Sequence, residues 1–137
     1  LKENNIGGII DPCCGNAFHT YLFNSFLDLE VFSVDIQDET HSWTPIKEEE
    51  GRLFMKNMPE EKQINKALLL SWVDYDSLTQ DLLKLYKGNI ILSLGNYTQN
   101  LSKNYIKDLN ETYKLIKAYN MKMPWGLEEK IEIYKRK

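Results

Sequence analysis

Two acidic residues, each at the end of an apolar run, are the residues of this chain best suited to chemistry. Asp11 opens a turn of small residues, 11–17, and Asp35 ends the run 31–35, 24 positions further along the chain. Small side chains let the backbone of a turn approach a ligand, and the N–H groups of a following helix point towards it. A carboxylate such as Asp35 can accept hydrogen bonds from both hydroxyl groups of a ribose. The pattern predicts a nucleoside site at the carboxyl ends of parallel strands.

The elements around these acids have the periodicity of a βαβ unit. Residues 17–27 form a predicted helix, with a right-handed crossover to the strand 31–35. The face of this helix that we expect to pack on the sheet consists of Phe18, Tyr21, Leu22, Ser25 and Phe26. The polar segment 37–50 is interpreted as a loop over the carboxyl ends of the strands, where loops form binding walls.

The remainder of the chain continues the alternation of helices and strands. We predict a helix over 51–58, a solvated connection over 60–66, a buried strand over 67–72, a helix over 77–87, a strand over 90–94 and a helix over 101–111. Asp76 should cap the helix 77–87, and Gly88 should stop it. Two final strands, 113–123 and 130–134, predict a hairpin around the turn 124–126. The expected fold class is α/β, a mostly parallel sheet with a C-terminal antiparallel hairpin, and its third strand is not recognisable in the sequence.

This order of elements resembles the S-adenosylmethionine-dependent methyltransferases of Rossmann-like fold, over about residues 6–134. Residues 11–17 look like the Asp-Pro-Phe-x-Gly-x-Gly motif of nucleic-acid amino-methyltransferases: Asp11, Pro12 and Gly15 match, whereas Cys13 and Ala17 depart. A left-handed conformation at Ala17 would carry a steric cost that glycine avoids. The resemblance implies one methyltransferase-like domain, 1–137, that binds S-adenosylmethionine or S-adenosylhomocysteine.

The resemblance also implies a cofactor site built from the first loop, the second acid and the end of the central strand. Its members are Asp11, Pro12, Cys13, Cys14, Gly15, Asn16, Ala17, His19, Asp35, Ile36, Ser71 and Trp72. His19 could donate a hydrogen bond to the methionine carboxylate of the cofactor, or it could lie on the surface.

The acceptor motif is where the chain departs most from that family. There the strand that corresponds to residues 68–71 is followed by Asp/Asn-Pro-Pro-Tyr/Trp, whereas this chain reads Ser71-Trp72-Val73-Asp74-Tyr75. Aligning the aromatic residue with Tyr75 makes Asp74 and Tyr75 the candidate catalytic residues. Methyl transfer tolerates such a departure, because the sulfonium is an activated donor and in-line positioning supplies most of the acceleration. The alternative is that Trp72 is a core residue, that Asp74 or Asp76 only caps the next helix, and that Tyr75 is half-buried.

Composition narrows the functional classes. With 137 residues, 42% hydrophobic content and a net charge of −3, the chain suits one domain and gives no signal of nucleic-acid binding. No apolar run approaches the ~20 residues that cross a bilayer, so we expect no membrane partner and a cytoplasmic location. Cys13 and Cys14 are adjacent and lack the second pair of a structural zinc site, so we interpret them as small residues of a reducing compartment and expect no metal.

Three functions fit these patterns. The leading hypothesis is an S-adenosylmethionine-binding protein that acts as a small methyltransferase on an undetermined acceptor. The second is a catalytically silent methyltransferase-like module that binds a protein partner, since a fold does not fix a function. The third, a nucleotide-binding protein that uses NAD, is disfavoured by the terminal hairpin and by the lack of a Gly-x-Gly-x-x-Gly motif.

Overall fold

Strands and helices alternate along most of the chain. The computed structural model describes residues 1–36, 41–73, 77–95, 103–122, 126 and 128–137. The strands are β1 (Gly8–Asp11), β2 (Glu30–Asp35), β3 (Lys47–Glu48), β4 (Lys66–Ser71), β5 (Ile90–Gly95), β6 (Tyr113–Lys122) and β7 (Glu128–Arg136). The helices are α1 (Phe18–Leu27), α2 (Gly51–Asn57), α3 (Glu60–Gln63), α4 (Ser77–Leu85) and α5 (Lys103–Thr112), and a 3-10 turn, Lys2–Asn4, precedes β1.

The strands of the described residues form one sheet in the order β3-β2-β1-β4-β5-β7-β6. β1 pairs in parallel with β2 and β4, β2 with β3, and β4 with β5. β7 lies antiparallel to both β5 and β6. The predicted fold class, a mostly parallel sheet with a C-terminal antiparallel hairpin, is confirmed. The direction in which strands are added reverses between β1 and β4, and such a switch point is where open α/β sheets bind ligands.

The central strands bury both of their faces. Ile10, Leu68 and Leu70 pack with residues of α2, α4 and α5, whereas Ile9 and Leu69 belong to a second apolar cluster on the opposite face. This division follows from the alternation of side chains along a strand. Strands buried on both faces read as continuous apolar runs, which is why the sequence pattern predicted β4 and β5 well.

The face of α1 that packs on the sheet differs from the predicted one. Three residues of the predicted face are exposed: Tyr21, Ser25 and Phe26. Thr20 is buried instead, and Phe23 packs against the second apolar cluster. The Thr20 hydroxyl donates to Asp11 Oδ2 at 3.3 Å and contacts the hydroxyl of Ser33. A polar contact thus orients the helix, and apolar spacing alone could not indicate it.

Two short elements lie where the sequence predicted irregular segments. β3, at Lys47–Glu48, falls within the predicted loop 37–50, because a polar two-residue strand carries no alternation to detect. α3 falls within the connection predicted to be solvated, yet its Gln63 is buried. The Gln63 amide donates to the carbonyls of Met55 and Met58 and accepts from the Lys87 N–H at 2.9 Å. The predicted cap Asp76 and the start of the predicted turn, 124–125, lie outside the described residues.

A buried tyrosine joins the amino ends of β4 and β5. The Tyr86 hydroxyl lies 2.6 Å from the carbonyl oxygen of Lys66 and 2.7 Å from that of Ile90, and it accepts the Ile90 N–H at 3.2 Å. A Cβ on Gly88 would lie 2.3 Å from the same hydroxyl, so this contact requires glycine there. α4 ends at Leu85, two residues before the predicted end, so Gly88 is required by the contact with Tyr86 and does not itself end the helix.

We predict that Tyr86→Phe lowers the free energy of unfolding by about 1–3 kcal/mol, because a buried N–H and two carbonyls lose a partner. Urea denaturation followed by circular dichroism would measure this change. Tyr119→Phe, at a tyrosine that is 45% exposed, is the matched control and should change stability by less than about 0.5 kcal/mol. Equal stability of the two variants would contradict the structural role of the Tyr86 hydroxyl.

Candidate functional site

A cavity of about 310 Å³ lies at the carboxyl ends of β1, β2 and β4. It brings together nine of the residues that the sequence predicted for a cofactor site: Asp11, Cys13, Cys14, Gly15, Asn16, His19, Asp35, Ser71 and Trp72. Pro12 and Ala17 are buried beside it without lining it, and Ile36 is 64% exposed. Asp74 and Tyr75 lie outside the described residues.

Asp35 holds the first loop in place. Its Oδ2 accepts a hydrogen bond from the Gly15 N–H at 2.8 Å, and the Cys14 N–H donates to the Val34 carbonyl at 3.1 Å. Gly15 and Ala17 adopt left-handed conformations, with φ of 51° and 59°. A non-glycine residue in this region costs roughly 1–2 kcal/mol. The steric cost anticipated at Ala17 is therefore present, and the hydrogen bonds from β2 help to maintain the loop.

Asp11 is a buried carboxyl group of the cavity with a raised pKa. It is 2% exposed and accepts the Thr20 hydroxyl. Burial, with a smaller contribution from the nearby Asp35 carboxylate, raises the pKa of Asp11 to about 7, although the Thr20 hydrogen bond opposes this shift. The cavity therefore contains one carboxyl group that changes its charge near neutral pH.

His19 and Ser71 form a hydrogen-bonded pair across the cavity. The Nδ1 atom of His19 lies 3.0 Å from the Ser71 hydroxyl oxygen. Burial lowers the pKa of His19, so its imidazole is neutral at neutral pH. Of the two positions left open by the sequence, the structure has His19 in the cavity wall, as a neutral hydrogen-bonding group.

The adjacent cysteines, Cys13 and Cys14, are reduced. Burial, together with the carboxyl groups of Asp11 and Asp35, raises the pKa of Cys14 to about 12. A thiol with such a pKa stays protonated and is a poor nucleophile, because the thiolate is the reactive form. Cys14 therefore acts as a small wall residue of this cavity.

Trp72 directly follows β4, and the chain turns at this residue. The sequence predicted it inside the strand, but β4 ends at Ser71, and Trp72 has a left-handed φ of 52°. Its backbone N–H donates to the Leu94 carbonyl at 2.8 Å, and its indole N–H donates to Glu129 Oε1 at 3.1 Å. The indole is thus held from β7, and this contact spans 57 positions of sequence.

Comparison with solved structures identifies the fold. The chain superimposes on magnesium protoporphyrin IX methyltransferase from Synechocystis PCC 6803, solved with bound SAM, with a TM-score of 0.63, 9% identity and coverage of 99% of this chain and 73% of that one. The N-methyltransferase NodS of Bradyrhizobium japonicum WM9 matches with a TM-score of 0.61 and 8% identity, over 99% of this chain and 89% of that one. An rRNA methylase of Streptococcus thermophilus matches with a TM-score of 0.54 and 10% identity, over 97% of this chain and 88% of that one. The chain has the Rossmann-like methyltransferase fold. No protein-family model and no curated protein sequence matches it.

The cavity of this methyltransferase fold lies beside the switch point between β1 and β4. The loop after β1 supplies residues 13–16, and the end of β4 supplies Ser71 and Trp72. Ligands of open α/β sheets bind in the crevice outside the carboxyl ends of such strands. The arrangement offers carboxyl acceptors and a neutral imidazole to a ligand, and Trp72 forms part of the wall.

Two residues near the cavity were not predicted to belong to it. The backbone N–H of Trp43 donates to the Asn16 carbonyl at 2.8 Å, and its ring lies 5.2 Å from that of Phe18. This contact agrees with the interpretation of segment 37–50 as a loop over the strand ends. The sequence contains one weak indication of Glu129: it is an acid on the side of β7 whose other residues, Ile131 and Ile133, are apolar.

No group of three metal-ligating side chains converges in the described part of the chain. None of the described helices combines the length and the apolar character that a membrane span needs.

We predict that Asp11→Asn stabilises the protein increasingly as the pH rises from about 4 to about 7. The folded carboxyl keeps its proton up to a pKa of about 7, whereas the unfolded one loses it near 3.8. In this interval the contribution of Asp11 to the wild-type free energy of unfolding therefore falls, by up to about 1.4 kcal/mol per pH unit, and Asp11→Asn lacks this loss. Above pH 7 the difference should stay constant.

Thermal denaturation of the wild type and of Asp11→Asn at several pH values between about 4 and 8 would test this prediction. Asp28→Asn is the control, because Asp28 is exposed and its left-handed φ of 50° is one that asparagine tolerates. A pH-independent difference between wild type and Asp11→Asn would show that Asp11 is ionised throughout.

Proposed function

We propose that this protein binds S-adenosylmethionine and acts as a small methyltransferase. The observation that carries the proposal is the position of Asp35, at the end of β2 and in the wall of the cavity, with its Oδ2 bonded to Gly15 of the first loop. A carboxylate there suits the two hydroxyl groups of a ribose. The methyltransferase fold and the two neighbouring strand ends support the same ligand.

The charges of the cavity favour the remainder of the cofactor. S-adenosylmethionine carries a sulfonium and an ammonium group. The carboxylate of Asp35 would stabilise positive charge, and Asp11 would do so only in its ionised form, above its pKa of about 7. Its own carboxylate would suit the N-terminus of α1, where Ala17 supplies no side-chain cap and backbone N–H groups favour an anion. His19, held at Ser71, would then contact the ligand as a neutral group.

The acceptor side is proposed from the end of β4. Trp72 lines the cavity, and the sequence adds Asp74 and Tyr75 directly after this strand. When bound, the cofactor would supply an activated methyl group, so these residues would need to orient an acceptor in line with it. The cavity volume of about 310 Å³ lies at the lower end of the range for small-molecule sites.

A catalytically silent module that binds a protein partner is the second candidate. It is favoured by Trp72, which stands where the family motif has an acid or amide and whose indole N–H is bonded to Glu129. Either function suits the cytoplasm, because reduced cysteines such as Cys13 and Cys14 are typical of reducing compartments.

Calorimetric titration with S-adenosylhomocysteine tests the proposed function. The wild type should bind, and Asp35→Ala should bind more weakly by about 1.5–3 kcal/mol, the scale of hydrogen bonds to a charged group. Asp35→Asn, which can still accept the Gly15 N–H, should fall between the two. Asp28→Ala, at an exposed aspartate, is the control and should bind like the wild type. Lack of wild-type binding at millimolar ligand would favour the silent module.

A separate prediction concerns methyl transfer. Asp74→Asn and Tyr75→Phe should slow transfer from radiolabelled S-adenosylmethionine to an acceptor in cell extract, while affinity for S-adenosylhomocysteine stays nearly constant. The reason is that these groups would contact the acceptor and not the donor. Labelled product formed at the wild-type rate by both variants would remove this strand end from the catalytic wall.

A further inference from the structure

Trp72 lines the cavity and has a backbone conformation that contacts with neighbouring residues must stabilise. Its left-handed φ of 52° is uncommon for a bulky residue and is sterically unfavourable. Its side chain packs against the apolar cluster that contains Leu94, and Trp72 is also one of the residues that line the cavity. Any contact that fixes the indole therefore also fixes part of the cavity wall.

Glu129 makes such a contact. It is the second residue of β7, it is 2% exposed, and its Oε1 accepts the indole N–H of Trp72 at 3.1 Å. Its other carboxyl oxygen, Oε2, is buried without a hydrogen-bond partner in the described residues. No ion pair of Glu129 is found within that part of the chain either.

A buried carboxyl group at this position is costly for stability alone. Glu129 lies on the same side of β7 as Ile131 and Ile133, which pack in the cluster with Trp72. Burial raises the pKa of Glu129, and the Trp72 hydrogen bond offsets only part of that shift. An apolar side chain would avoid the desolvation of a half-satisfied carboxyl. What it could not provide is a directed hydrogen bond to the indole.

We propose that Glu129 is a positioning residue of the cavity: through the indole N–H it fixes Trp72 as the wall at the end of β4. The antiparallel hairpin thereby contributes to a site whose other described residues come from the parallel part of the sheet. Where the ligand is S-adenosylhomocysteine, this inference rests on the proposed function. The hydrogen bond and its effect on the wall do not depend on that ligand.

Two substitutions at Glu129 separate positioning from packing. Glu129→Gln keeps an oxygen that accepts the indole N–H, whereas Glu129→Leu removes the acceptor and keeps the volume. Glu132→Leu is the matched control, because Glu132 is a buried carboxyl on the same strand whose partner is the Tyr134 hydroxyl. Trp72→Phe removes the indole donor, together with part of the ring, while Glu129 stays in place, and it serves if Glu129→Leu does not fold.

The first readout is the indole N–H resonance of Trp72 in ¹⁵N-labelled protein, one of three tryptophan signals, assigned by its loss in Trp72→Phe. We expect Glu129→Leu to move it upfield, together with the backbone amide signal of Ser71. Glu129→Gln should keep both near their wild-type positions, and Glu132→Leu should leave both unchanged. An unmoved indole signal in Glu129→Leu would overturn the proposal.

The second readout is affinity for S-adenosylhomocysteine by calorimetry. Glu129→Leu and Trp72→Phe should each weaken binding about tenfold, the scale of one hydrogen bond to a charged group. Glu129→Gln and Glu132→Leu should stay within about twofold of the wild type, and Trp72→Phe combined with Glu129→Leu should bind no worse than either alone. Wild-type affinity in Glu129→Leu with a displaced indole signal would also overturn the proposal.

The two readouts distinguish failure of this inference from failure of the proposed function. If the wild type does not bind S-adenosylhomocysteine, the proposed function fails, and the indole and Ser71 signals still decide whether Glu129 positions the wall. If the wild type binds but Glu129→Gln binds no better than Glu129→Leu, the positioning role fails and the proposed function stands.

Discussion

Burial of β1, β4 and β5 on both faces is the constraint from which the site follows. Apolar side chains occupy both sides of these strands, so polar groups are confined largely to the strand ends. Asp11, Asp35 and Ser71 end β1, β2 and β4, and parallel pairing brings these ends to one edge of the sheet. At the cavity, polar groups can form hydrogen bonds with a ligand without replacing apolar residues of the core.

The two acids at this edge have different structural roles. Asp35 accepts the Gly15 N–H, so its carboxylate joins the loop after β1 to the end of β2. Asp11 is buried behind that loop, where Thr20 donates to it and so also sets the rotation of α1. Since burial favours the neutral form of Asp11, the close approach of two like charges is relieved near neutral pH. One acid thus shapes the cavity, and the other couples the first helix to it.

The end of β4 shows how the C-terminal hairpin enters the site. β7 lies antiparallel to β5, and this pairing brings Glu129 near the carboxyl end of β4, where it meets Trp72. If β7 were parallel to β5, its C-terminal end and the following loop would lie at the carboxyl edge of the sheet, instead of its start. Here a residue near the start of β7 contacts the cavity wall, so the topology that distinguishes this fold also contributes to the geometry of its site.

The sequence by itself determined the features that depend on short-range patterns. These are the apolar runs of β1, β4 and β5, the acids Asp11 and Asp35 at strand ends, and the terminal hairpin. Burial on both faces produces continuous apolar runs, and burial on one face produces alternation of apolar and polar residues. Both patterns are visible within a short segment, so these elements could be predicted. The residues that line the cavity could be anticipated for the same reason, because parallel strands present their carboxyl ends together.

Only the tertiary structure decided the features that depend on contacts between distant residues. The inward face of α1 follows from Thr20 and Asp11, the burial of Gln63 from carbonyls of α2, and the turn at Trp72 from Leu94 and Glu129. None of these has a local pattern, because each polar group is buried only where a partner from another element satisfies its hydrogen bond. Such partners are set by the packing of the whole sheet and its helices, which the order of residues along one segment does not encode.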